Sequence, residues 1–202
     1  MGSKMNLKKL RVKLATHYNY EVIDGLFDAA LGMRQKIEAD LSKAAKEIEA
    51  DPGLGQDEKD FQIHSLGDDI YIAELTTSLA GEMMVIALFK TTEIAIKGMA
   101  ASSDLFTKTE LASFYKVDQL KKAMKATVCD LTKLLGFKAY DELRCINNAI
   151  KHSGVASKEL ARYANWREGQ KLDGLNDHYA RLKNDVIVFV EELQKKILAK
   201  IT

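Results

Sequence analysis

Proline is nearly missing from this chain: Pro52 is the only one in 202 residues. Sheet-rich domains need frequent turns, and turns draw on proline and glycine. One proline amid long periodic stretches predicts an all-α protein, an elongated bundle of about five helices. Cysteine is scarce too. Cys129 and Cys145 have neither metal-type nor redox-type spacing, so both are expected as reduced thiols. With no secretory signal visible, the expected setting is the cytoplasm. Net charge is almost absent, since 30 basic residues balance 29 acidic ones to +1. No global field recruits nucleic acid or membrane, and any polyanion site must be a local patch.

The chain also lacks a long uncharged apolar run. Its most apolar window, residues 79–100, carries Glu82, Lys90, Glu93 and Lys97, so no membrane span is expected. A Gly-rich phosphate loop and a nucleophile elbow are both missing. Metal-binding bundles use inward Glu-x-x-His pairs. Here the residues three before His17, His64, His152 and His178 are Leu14, Phe61, Ala149 and Leu175, none of them acidic. His64 with Asp68 is the nearest approach to a ligand pair and reads as a solvated face. No metal and no cofactor is implied.

What is present is a balanced composition, 47% apolar and 29% charged, that fits one domain over residues 1–202. Residues 1–4 read as a cloning remnant ahead of a natural start at Met5. The basic run Lys8, Lys9, Arg11 and Lys13 reads as a solvated arm rather than a polyanion contact. Ile23, Phe27, Ala30, Ile37, Leu41, Ala44 and Ile48 recur at helical steps and predict a helix over residues 20–49, closed by Pro52 and Gly53. A second seam, from Leu66 through Ala73, Thr77, Ala80, Met84 and Ala95 to Gly98, predicts a very long helix over 56–101, bent near Gly67 or Gly81. The small residues on that seam would let a neighbouring helix come close. Thr107 and Glu110 form a capping box ahead of a short helix. Asp118 would cap a helix over 119–135, stopped by Gly136. After an irregular stretch, residues 153–173, a last helix over 175–199 carries Leu175, Tyr179, Leu182, Val186, Phe189, Leu193 and Ile197 on its seam.

Residues 140–154, YDELRCINNAIKHSG, hold the only cluster of groups suited to chemistry. Leu143, Ile146 and Ile150 fall on one buried stripe of a helix over 138–152, while Arg144, Asn147, Asn148, Lys151 and His152 share a neighbouring arc. Arginine can clamp a phosphate bidentately, and histidine moves protons near neutral pH. His152 lies near the helix C-terminus, where the dipole favours the imidazolium. A metal-free ribonuclease needs such a set: a base for the ribose hydroxyl, an acid for the leaving oxygen and a cation for the phosphorane. A plain amphipathic helix whose polar side meets water accounts for the same residues.

The stretch from Glu142 and Arg144 through Asn148 to His152 resembles the signature helix of the HEPN superfamily, the higher eukaryotes and prokaryotes nucleotide-binding domains. The order of long helices around it is similar to that all-α fold. The resemblance implies an RNA-binding domain or a metal-independent endoribonuclease of a bacterial toxin or phage-defence system. It also implies a homodimer with the motif helices meeting in one cleft, RNA as ligand and an antitoxin-type protein partner. His152 would then be acid and base, with Arg144 and Lys151 holding phosphate and Asn147 and Asn148 orienting. The family's ribonuclease motif places an arginine, often with a polar neighbour, four to six residues before the histidine. Here Asn147 stands at the arginine position and Asn148 at the polar one. Arg144 lies further back, roughly 80° around the helix and about 12 Å along it from His152. The rival expectation is a catalytically inactive helical module that serves a dimer or partner interface. A third is a small-ligand pocket in the bundle.

Overall fold

A computed structural model describes residues 7–18 and 20–201, so the remnant read at residues 1–4 lies outside the described residues. The fold is all-α. Among the described residues there are seven α-helices and two single 3₁₀ turns, and the only β-type pairing is one antiparallel bridge, Val155 with Lys171. The first helix, α1 (Leu7–Leu14), corrects the sequence reading of a solvated arm. Val12 is fully buried, and the Gln194 side chain donates to the carbonyls of Val12 and Lys13 at 3.3 Å. The lysines of this run sit on the outside of a docked helix, with Lys8 2.8 Å from Asp104.

Helices α2 (Glu21–Ala50) and α3 (Gln56–Ser103) form an antiparallel hairpin. Its turn holds Pro52, with Asp51 accepting from the Gly53 N–H at 2.8 Å and Glu58 accepting from the Gly55 N–H at 3.0 Å. At 48 residues α3 is about 72 Å long by its 1.5 Å rise. The helix runs uninterrupted through both Gly67 and Gly81. The glycine at 81 is explained by packing, because a Cβ there would meet the Asn176 backbone nitrogen at 3.2 Å. By length and composition α3 could cross a membrane, and 39% of its most apolar stretch is buried inside the protein.

The capping box is as expected: Thr107 Oγ1 accepts from the Glu110 N–H, and Glu110 accepts from the Thr107 N–H at 2.8 Å. It opens α4 (Lys108–Ser113). The next helix, α5 (Val117–Thr127), is shorter than the predicted 119–135 span. Asp118 lies in its first turn, with Lys116 at the N-cap. The chain leaves the helix after Thr127 because the β-branched pair Thr127-Val128 gives way to an Asp130 turn. There the carboxylate accepts from the Thr132 N–H at 3.1 Å and its hydroxyl at 2.7 Å. A 3₁₀ turn, Leu131–Lys133, follows. Gly136 therefore does not stop that helix. It begins α6 (Phe137–His152), which matches the predicted motif helix within one residue.

The last helix, α7 (Leu175–Lys200), buries all seven predicted seam residues. It pairs with the C-terminal half of α3, and α6 lies against both. Two clusters form the core. One gathers Met84, Leu88, Leu143, Ile146, Trp166, Tyr179 and Leu182. The other gathers Ile96, Met99, Phe114, Met124, Tyr140, Phe189 and Leu193. Phe89 touches both.

Candidate functional site

The motif helix is placed by its first residue. Gly136 has φ +74°, and a Cβ there would come within 2.0 Å of the Asp185 carbonyl oxygen on α7. No side chain fits, so the chain enters α6 in direct contact with α7. Tyr140 then stacks on Phe189 with centroids 4.7 Å apart, fixing the rotation of the helix.

That rotation buries two carboxylates that the sequence reading left unassigned. Asp141 accepts from Arg144 Nε at 3.0 Å and from the Tyr163 hydroxyl at 2.8 Å. Burial pushes its carboxyl up, but the Tyr163 hydrogen bond and the Arg144 guanidinium outweigh that and hold it below the ordinary range. Glu142 accepts from Trp166 Nε1 at 3.0 Å and is gripped by both terminal nitrogens of Arg181. Trp166 in turn stacks on His178, centroids 4.2 Å apart. The irregular segment 153–173 is thus sewn onto α6 by its buried Tyr163 and Trp166. It contains a single 3₁₀ turn, Leu160–Arg162.

Arg144 is consumed by the same network. Its guanidinium contacts Asp141, Glu159 and the Cys145 sulfur, the last at 3.3 Å. Burial and Arg144 act oppositely on the Cys145 thiol, and burial prevails, pushing it up to about 11. Cys145 is therefore a neutral core thiol.

Four of the five predicted polar residues share one cavity. Arg144, Asn147, Asn148 and Lys151 line one side of a space of about 360 Å³. Phe89, Glu93 and Lys97 of α3 face them, with Phe114 and Tyr115 closing the end near α5. Glu93 sits between two lysines, 3.1 Å from Lys97 and 3.7 Å from Lys90. Asn147 is only 1% exposed, and its Oδ1 is the one buried side-chain polar atom among the described residues without a hydrogen-bond partner. His152 is not among the residues lining the cavity. It is the last residue of α6 and exposed.

The arrangement can bind. Asn147 lines this cavity, and the fold supplies its Oδ1 with no donor, a place that an N–H or O–H of a bound group would fill. Aromatic rings on two sides suit a planar group, and the Lys97 and Lys151 ammonium groups suit an anion. Sequence reasoning missed the α3 wall, although Glu93 and Lys97 stood out as charges four residues apart in the most apolar window. Comparison of the chain with known protein families, with curated proteins and with solved structures returned no match.

Proposed function

We propose that the chain is a HEPN-like RNA-binding domain whose α3–α6 cavity receives one unpaired nucleotide of a single-stranded RNA. The observation that carries this reading is the buried, partnerless Oδ1 of Asn147 in the wall of an aromatic cavity with lysines beside it. Single-stranded RNA is read by stacking splayed bases on aromatic rings and hydrogen-bonding their polar edges. The imino or amino N–H of a base supplies the donor that Asn147 lacks, and the following phosphate falls to Lys151 or Lys97. Binding is favoured over cleavage because the groups suited to catalysis stand apart. Arg144 is held by two carboxylates, and His152 is exposed outside the cavity.

The test is fluorescence anisotropy with short labelled RNAs, single-stranded and duplex. The expected result is preferential single-strand binding that Asn147→Leu weakens at least tenfold, about 1.4 kcal/mol, with the helical circular dichroism unchanged. Equal affinity for duplex, or no effect of either Asn147→Leu or Lys151→Ala, overturns the reading. Cleavage of the RNA that disappears in both His152→Ala and Arg144→Ala would replace it with the ribonuclease reading.

A further inference from the structure

The outward face of α3, opposite the core, carries a row of largely exposed apolar side chains. Ile72, Leu75, Leu79 and Met83 are 58%, 51%, 56% and 45% exposed, and Ile86 continues the row half-buried. Asp68 stands at one end of this row and Lys90 at the other. From Asp68 to Lys90 the steps are four, three, four, four, three and four, the same read in either direction. From Ile72 to Lys90 the row makes five turns at 3.6 residues each, so it runs straight along the helix instead of winding around it.

We infer that this face pairs with the same face of a second copy of the chain, antiparallel, about a two-fold axis through Leu79. A two-fold interface needs a surface complementary to itself, residue i meeting j while j meets i. The row meets that condition at every position. Leu79 faces its own symmetry mate, Leu75 faces Met83, Ile72 faces Ile86, and Asp68 faces Lys90. The register follows from charge as well as from apolar contact. A parallel pairing would set Asp68 against Asp68 and Lys90 against Lys90, whereas the antiparallel one sets opposite charges together at both ends. Lys90 lies 3.7 Å from Glu93 of its own helix, so the partner's acid joins an existing ion pair. In the same register Phe61, 75% exposed, stands opposite Lys97 on the wall of the α3–α6 cavity. The second copy thus extends the site with an aromatic ring near a lysine. A lipid surface fits the row less well, because Asp68, Asp69 and Glu82 lie on or beside it and anionic headgroups repel them. This inference does not depend on the RNA reading.

Sedimentation equilibrium at tens of micromolar is expected to return twice the chain mass of 22.6 kDa. Asp68→Lys and Lys90→Asp each shift the protein to the monomer, and the double exchange restores the dimer, which a folding defect would not do. Leu79→Cys is expected to form a disulfide with its symmetry mate under mild oxidation, while Tyr71→Cys, equally exposed but off the row, is not. A monomeric wild type, failure of the double exchange to rescue, or equal cross-linking of both cysteines overturns the proposal. So does a monomer that co-sediments with phosphatidylcholine–phosphatidylglycerol vesicles and loses that property in Leu79→Lys.

Discussion

The Tyr163 hydroxyl donates to Asp141 Oδ2 at 2.8 Å, joining the motif helix to a loop residue 22 positions further on. Both residues are buried. Tyr163→Phe removes the donor and leaves a carboxylate oxygen short of a partner, at an expected loss of about 1–3 kcal/mol at neutral pH. The sign of the pH dependence follows from the lowered Asp141 value. Its ionised form contributes stability that is complete above the ordinary value of 3.8 and is lost as the pH falls through the lower folded-state value. The gap between wild type and variant in urea unfolding is therefore constant near neutrality and narrows in acid. A gap that stays constant into strong acid would assign the loss to packing.

Glu142 is the larger stake. Replacing it with alanine leaves the Trp166 indole N–H without its acceptor and Arg181 without its carboxylate. Arg181 is 40% exposed and can be rehydrated, so the orphaned indole N–H carries most of the loss, about 2–4 kcal/mol in all. Trp166 is the only tryptophan in the chain, so its emission reports the event directly. The expected signature is a red shift together with an earlier thermal transition. Unchanged emission would show that the loop stays seated without Glu142.

Two glycines with similar backbone angles are expected to respond very differently. Gly136→Ala places a methyl group within 2.0 Å of the Asp185 carbonyl and should lower stability by about 3 kcal/mol or more. Gly154 has φ +68° with open space around it, so Gly154→Ala carries only the left-handed backbone penalty, roughly 1–2 kcal/mol. Denaturant midpoints of the two variants decide the point, and equal losses would refute the close approach of α6 to α7.

Arg144 and Lys151 are expected to separate cleanly. Arg144→Lys keeps the charge but loses the fork that spans Asp141 and Glu159, so stability falls by about 1–3 kcal/mol. Lys151 is exposed, and Lys151→Ala should leave the melting temperature within about 1–2 °C. In RNA titrations Lys151→Ala should instead lower affinity and reduce the salt slope by roughly one. The reverse pattern would make Arg144 the phosphate ligand.

The parts of the fold that could be read in advance were those written as periodicity. The α7 seam and the limits of α6 needed only spacing and a glycine. The end of α5 escaped because its register continues past Thr127, while the competing Asp130 turn is a side-chain preference with no period. The α1 lysines advertised solvent and hid Val12, a single buried residue in a short basic run. The site was legible in part for a related reason. A charged residue on a helix is normally solvated, so Asp141 and Glu142 gave no sign of being buried. The partners that make burial tolerable, Tyr163, Trp166 and Arg181, lie 22, 24 and 39 residues away. Only tertiary structure turns those separations into contacts.

The α2–α3 hairpin has a thermodynamic consequence. No side chain of α2 is fully buried, and the first on α3 is Ala73. The distal hairpin, around residues 36–66, therefore hangs on half-buried contacts and exposed polar ones such as Lys59 Nζ donating to the Glu49 carbonyl at 2.8 Å. It is expected to open as a unit of its own, at a fraction of the free energy that unfolds the rest. Its amides should exchange with solvent well ahead of those in α6 and α7. The tip can be cut away and α2 joined to α3 by a shorter turn, leaving both core clusters and the cavity in place.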